Sequence, residues 1–183
     1  MKGELASRGI LLLRRLAAYA LDCALLFVLL IAVQAGLVVT GLHPFVNDGL
    51  ALAAQPDPAA LHLWVFACTT LPFAAYFAAA FGSRAGATLG QHLLGLRVTD
   101  DNGDRLRAGP AILRAAVLLA PFELNHAILF ASAPWSGTAA SGWFIGGIVA
   151  VWLLVLAYAA LPLYRSDQRS LHDLAARSRV IGR

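Results

Sequence analysis

All fourteen Lys and Arg residues of this chain fall on one side of four apolar runs. Lys2, Arg8, Arg14 and Arg15 precede the first run. Arg84, Arg97, Arg105 and Arg107 lie between the second and third, and Arg114 stands just inside the third. Arg165, Arg169, Arg177, Arg179 and Arg183 follow the fourth, while the other two connections, around 43–60 and 132–142, hold no Lys or Arg. In membrane proteins an excess of Lys and Arg marks the cytoplasmic loops and sets orientation. An even number of spans with both termini inside follows, and the chain reads as an all-α integral membrane protein.

Each run is long enough to cross a bilayer. A hydrocarbon core of about 30 Å takes around 20 apolar residues per helix, and residues 16–39, 61–81, 110–131 and 143–164 reach that length. The chain is 60% hydrophobic and 13% charged, against roughly 25% charged in soluble domains. Loop 82–109 and tail 165–183 are too short for a separate soluble domain, so 1–183 reads as one membrane domain. The net charge of +4 comes from the basic rim, whose partner is the anionic headgroup layer of a bilayer. No basic helix with interleaved aromatics is present, which argues against nucleic acid. The expected location is a bacterial cytoplasmic membrane, crossed several times. A cleavable leader is a poor reading of the start, because a leader's apolar core runs about 7–15 residues. Here the run extends to Val39 and carries Asp22. Cys23 and Cys68 both fall inside spans, so no disulfide framework is expected.

Between the spans, spacing predicts local structure. Residues 43–60, with Pro44, Asn47, Asp48, Gly49, Pro56 and Pro58, form an outer loop by their turn residues. Thr88 and Gln91 have the spacing of a capping box; Leu89, Leu93, Leu94 and Leu96 follow, with Gly95 as a stop signal. That predicts a short amphipathic helix at the membrane surface. Residues 96–99 and 105–107 flank Asp100-Asp101-Asn102-Gly103-Asp104, a pattern that predicts a β-hairpin. After the fourth span, Ser170 and Asp173 predict a second capped helix, and residues 179–181 a strand. A lone hairpin is marginal in water, so pairing with that strand would strengthen both. The expected fold is four transmembrane helices with cytoplasmic termini and a small cytoplasmic cap of short helices and a hairpin.

Three segments resemble the RDD family of small multi-span membrane proteins, named for one arginine and two aspartates. They are Arg15-Leu16-Ala17-Ala18-Tyr19-Ala20-Leu21-Asp22; Gly86-Ala87-Thr88-Leu89-Gly90-Gln91-His92-Leu93-Leu94-Gly95-Leu96-Arg97-Val98 with Arg114 after it; and Arg169-Ser170-Leu171-His172-Asp173-Leu174-Ala175-Ala176. The resemblance implies that Arg15 and Asp22 are signature positions. It makes Asp173 the candidate for the third, with Asp100 and Asp101 as alternatives. Arg177-Ser178 departs from the Gly-Thr expected after the tail helix. For function the resemblance implies a transport-associated protein, some members being linked to cation/proton exchange, with no fixed substrate.

Two constellations carry candidate chemistry. Arg15, Tyr19 and Asp22 stand at i, i+4 and i+7 and share a helix face. Asp22 lies about 10 Å deeper than Arg15 by helix rise. A carboxylate at such depth costs roughly 2.5–3.5 kcal/mol and is expected to face the bundle interior with a partner. It reads either as a proton or cation site or as a structural pair with Arg15, Tyr19 or Arg114. In the third span, Glu123, Asn125 and His126 follow Pro121, which leaves the carbonyl of Val117 without its helical donor. Polar residues beside a broken helix are one way transporters build a midplane site, and a hydrogen-bonded kink is the structural alternative. Glu123 and His126 are also half of a carboxylate-bridged metal pattern, but the other ligands are not evident and no metal or cofactor is expected. His43 and His62 fall at the outer interface; His92 and His172 fall on surface helices. Gly142 and Gly146 have helix-association spacing.

No nucleotide loop, nucleophile elbow, zinc-protease motif or Cys-x-x-Cys occurs, which leaves no enzymatic reaction to assign. The leading class is a transporter or ion-coupled exchanger of a cation or small molecule. The alternative is a non-transport module: an assembly factor, lipid-surface organiser or accessory subunit. Four helices normally pack around a core filled by side chains, so a transport path is expected to need a homo-oligomer.

Overall fold

The computed structural model describes residues 2–46, 57–132 and 142–182. Most of the two connections free of Lys and Arg (47–56 and 133–141) therefore lies outside the described residues. Among the described residues, four helices are long and apolar enough to cross a membrane. Helix α1 spans Lys2–Val39 and begins well before residue 16, because no proline interrupts its first turns. The second rod is composite: α2 (Pro58–Val65), a π turn (Phe66–Thr70) and α3 (Leu71–Gly82). Helices α5 (Ala108–Ser132) and α6 (Gly142–Tyr164) complete the bundle. Their outer faces carry Leu, Ile, Val and Trp side chains open to the surroundings. Such all-round apolarity suits a membrane rather than water.

Proline explains the composite rod. Pro58 occupies the first turn of α2, where Asp57 caps by accepting the Ala60 N–H at 3.0 Å. Pro72 cannot donate to the carbonyl of residue 68, so the helical ladder must change register before it. The π turn makes that change: Leu71 N–H bonds back to Phe66 O. Thr69 and Thr70 are thereby buried in the bundle, and π turns of this kind recur at functional sites.

The Arg-rich end carries the short elements. Helix α4 (Leu89–Leu93) has its full Thr88/Gln91 capping box, and α7 (Leu171–Ala175) has the Ser170/Asp173 one. Strand β1 (Leu96–Asp100) pairs antiparallel with β2 (Ser178–Gly182), Val98 opposite Val180. The hairpin expected around Asn102-Gly103 does not form. Its turn exists, with Asp100 N–H bonded to Asp104 O at 2.9 Å, but residues 105–107 are no strand. Leu106 is buried in the core, and α5 begins at Ala108, so the tail supplies the partner strand. The core lies where cap and bundle meet, with Phe77, Phe81, Leu96, Val98, Ala111, Ala115 and Val180 packed together.

Helix α4 also differs from a helix lying flat on the surface. It runs along α1, with Gly90 N–H bonded to Asp22 at its start and Arg14 bonded to the carbonyl oxygens of Leu94 and Gly95 at its end. Along α1 those two anchors are about 12 Å apart by helix rise. A carboxylate at the start and a guanidinium at the end match the helix dipole at both poles. Gly90 makes the approach possible: a Cβ there would stand 2.2 Å from Ala18 O. Leu89 and Leu93 point outward and are exposed.

Candidate functional site

Asp173 enters the bundle as the third helical residue of the α7 capping box, already accepting the Ser170 N–H at 3.0 Å. Its Oδ2 receives Arg15 Nη2 from α1, and its Oδ1 receives Arg114 Nη2 from α5. Arg15 donates further to Gln168 O at 2.9 Å and Ser170 Oγ at 3.2 Å. Arg114 donates through Nε to Ser178 Oγ at 3.1 Å and lies over the Phe81 ring, 4.3 Å from its centroid. The side chain of Asp173 is fully buried and that of Arg15 is 10% exposed. Burial by itself raises the Asp173 carboxyl, but Arg114 and Arg15 override it and hold the group well below the usual carboxylate range. His172 is pushed down to about 3, first by burial and then by the charge of Arg114. It is therefore neutral at physiological pH, and two arginines around one carboxylate leave a surplus positive charge.

Asp22 has none of the partners that its helix face suggests. Tyr76 donates its hydroxyl to Oδ1 at 2.7 Å, Gly90 its backbone N–H to Oδ1 at 2.8 Å, and Thr88 its hydroxyl to Oδ2 at 2.5 Å. Tyr76 in turn accepts the Leu89 N–H at 3.0 Å. Two spans and α4 thus converge on one buried carboxylate. Tyr19, on the same face as Asp22, stacks on Phe77 instead, with ring centroids 5.9 Å apart.

Glu123 sits in the other half of the bundle, about 12 Å from the far end of its span by helix rise. His62 Nε2 is 2.8 Å from Oε1, and Thr70 donates its hydroxyl to Oε2 at 2.5 Å. His126 Nδ1 lies 3.8 Å from Oε2, beyond hydrogen-bond range, and is buried without a partner. Phe122 packs edge-on to His126, and Phe130 stacks on His62. Glu123, His62 and His126 are three titratable groups in contact inside spanning helices. Among the described residues no group is placed to hold a metal ion.

The RDD family model matches residues 11–177. This chain belongs to the RDD family. Arg15, Asp22 and Asp173 all fall within the matched segment, and in this RDD protein they form two separate centres at the Arg-rich end. Arg15 and Asp173 tie the first helix to the tail, while Asp22 ties it to α4. Asp100 ends β1 and Asp101 opens the turn after it, where Arg169 pairs with Asp101 at 2.5 Å. No curated protein and no solved structure matches the chain.

A cavity of about 390 Å³ lies within this RDD bundle between α1, α5 and α6. Arg15, Arg114, Ser170 and His172 line it at the Arg-rich end, and Asn125 lines it deeper in. The cavity is open to one side, where the exposed Leu16 and Trp152 line it. Asn125 faces this cavity, whereas Glu123 borders a separate groove with Thr70 and Ala120. The polar residues 123–126 are thus divided between two faces of α5. His62, Thr70 and His172 are not among the site residues expected from the sequence, which puts His62 at the outer interface and His172 on a surface helix. The available signal for the first two is their polarity inside an apolar span close to Pro72. A Cβ on Gly142 or Gly146 would meet no atom of the described residues within 4 Å, whereas one on Gly147 would press on Ile128.

Proposed function

We propose that this RDD protein is an ion-coupled transporter with Glu123 as its proton- or cation-handling group. The observation that carries the reading is the Glu123 site: a carboxylate within a span, bonded to His62 and Thr70, with His126 Nδ1 unpartnered beside it. Three such groups in contact can take up, share and release a proton with small side-chain movements. Ionisable residues at membrane depth are costly and mark ion pathways by default. Asp22, with three donors on its two oxygens, is the structural partner of α4 in this reading.

The same reading puts the Arg-rich end on the cytoplasmic side, both termini with it, since in the sequence all fourteen Lys and Arg residues fall on one side of the four spans. The membrane is then a bacterial cytoplasmic membrane, with anionic headgroups against the basic rim. Gly142 and Gly146 lie open on α6, a surface suited to a second copy of the chain.

The test is reconstitution in liposomes loaded with a pH dye, under gradients of Na⁺, K⁺ and Li⁺. Proton flux driven by one of these cations, lost in Glu123→Gln and reduced in His62→Gln, is the expected result. Absence of flux with every cation sinks the proposal. Co-purification with a fixed partner would then favour a non-transport accessory role, which the ordered cap of α4, α7 and the β1–β2 sheet also suits.

A further inference from the structure

We infer that the cavity between α1, α5 and α6 binds an anionic phospholipid drawn from the bilayer. The phosphate meets Arg15 and Arg114, and an acyl chain runs along the cavity toward Asn125. This site is separate from Glu123 and goes beyond the transport reading.

The opening of the cavity identifies the source of its occupant. Leu16, Trp152 and Val155 line it and are 46%, 61% and 37% exposed. The mouth is therefore lateral, between two spanning helices, on a face that meets lipid tails. A ligand entering there passes through hydrocarbon and must itself be largely apolar. The walls agree: Leu12, Leu118, Phe122 and Ala159 line the interior. The size is that of a ligand site, at the lower end of the roughly 300–1,000 Å³ usual for such pockets. From Arg114 to Asn125 it extends about 16 Å by helix rise, around half the hydrocarbon thickness of about 30 Å.

Charge identifies the headgroup. Arg15 and Arg114 share Asp173 as their one contacting carboxylate, and His172 beside them is held neutral, so two guanidiniums meet a single countercharge where they line the cavity. The bonds to Asp173, Ser170, Ser178 and Gln168 are made through Nη1 and Nη2 of Arg15 and through Nε and Nη2 of Arg114, and do not use Arg15 Nε or Arg114 Nη1. Arginine donors of this kind match phosphate oxygens in both charge and geometry. Asp22 also lines the cavity, but it lies about 10 Å along α1 from Arg15 by helix rise, and its oxygens face Tyr76, Gly90 and Thr88 rather than either guanidinium. A zwitterionic headgroup brings a cation along with its phosphate and gains less from the surplus charge.

The experiment uses the whole chain reconstituted with equal phosphatidylglycerol and phosphatidylcholine, then extracted in mild detergent for native mass spectrometry. Retention of phosphatidylglycerol about tenfold above phosphatidylcholine is expected, the equivalent of ~1.4 kcal/mol. Ala159→Phe, which fills the cavity, abolishes the preference, whereas Leu156→Phe on the exposed face of the same helix keeps it. Quenching of Trp152 fluorescence by brominated lipids tests the wild-type protein directly, with Trp152→Phe as the blank: brominated phosphatidylglycerol quenches more than brominated phosphatidylcholine. Equal retention of the two lipids, a preference that survives Ala159→Phe in a folded protein, or equal quenching would each overturn the assignment. So would displacement of the lipid by excess inorganic phosphate, which marks a soluble-anion site. None of these outcomes bears on proton flux at Glu123.

Discussion

Tyr158 donates its hydroxyl to the carbonyl oxygen of Val117 at 2.6 Å, and that carbonyl is the one Pro121 leaves without a helical donor. A break in α5 is thus repaired from α6. Leaving a buried acceptor unpaired costs about 1–3 kcal/mol, so Tyr158→Phe should destabilise the protein by that order. Pro121→Ala restores the missing N–H. In that background Tyr158→Phe should cost close to nothing, giving a coupling of ~1 kcal/mol or more in a double-mutant cycle. Purely additive costs would mean that the hydroxyl acts elsewhere.

Asp173 should be the costliest single truncation in the arginine cluster. It stands between two arginines and is fully buried, so Asp173→Ala strands two like charges, at about 3–5 kcal/mol. Arg15→Ala should cost less, because Arg114 still covers the carboxylate and Arg15 is partly exposed. Arg15→Lys should not restore the loss, since an ammonium cannot reproduce the donors to Asp173, Ser170 and Gln168 together. Thermal melts of the three variants in one detergent provide the comparison. Arg15→Ala more damaging than Asp173→Ala would reverse the argument.

Local spacing makes much of this fold legible and says little about its partners. Thr88/Gln91 and Ser170/Asp173 form their capping boxes because the bonds are made within three residues. The turn after Asp100 is visible for the same reason. Its hairpin does not exist, because β1 pairs with a tail strand some eighty residues away that competes for the same edge. Glu123 is visible as a carboxylate in an apolar run, but His62 and Thr70 lie 61 and 53 residues from it. Their approach depends on a π turn that no periodicity announces. Asp22 shows the same limit: its helix face names Arg15 and Tyr19, and tertiary packing supplies Tyr76, Thr88 and Gly90.

Gly90→Ala should expel α4 from α1. The added methyl would lie 2.2 Å from the Ala18 oxygen and 3.0 Å from Asp22 Oδ2, neither of which can withdraw without breaking a helix or a hydrogen bond. Overpacking of this kind costs about 1–3 kcal/mol. A water-soluble maleimide reports the movement through Leu94→Cys, packed against the core in the parent and more reactive once Gly90 is replaced. Equal labelling in both backgrounds would show that α4 tolerates the methyl in place.

Acid should weaken the fold through His172. The unfolded chain binds a proton near the ordinary value of 6.5, whereas the folded chain refuses it until about 3. The unfolded state therefore binds more protons across that window, and stability falls as pH drops, by up to about 1.4 kcal/mol per pH unit. The charges around His172 are Arg15, Arg114 and Asp173; Asp173, held below its ordinary 3.8, adds its own loss as pH falls past that value. His172→Gln removes the first effect alone. Its melting temperature should decline less steeply than that of the parent from pH 6.5 to about 4. Parallel slopes would mean that the imidazole is already protonated in the fold.

Arg177 occupies a position suited to glycine. It follows α7 with φ of +47°, its N–H bonded to Leu174 O at 3.2 Å, in the left-handed conformation that commonly ends a helix. Its side chain is exposed, so little contact is lost on removing it. A left-handed L-residue carries roughly 1–2 kcal/mol of strain. Glycine relieves that strain but adds backbone freedom to the unfolded chain, at roughly 0.5–1 kcal/mol. Arg177→Gly should therefore raise stability by about 0.5–1 kcal/mol net. Ala175→Gly, two residues earlier within α7, should lower it by about 1 kcal/mol. Opposite signs at these two sites isolate the backbone contribution, and a fall in melting temperature for both would place the value of Arg177 in its charge.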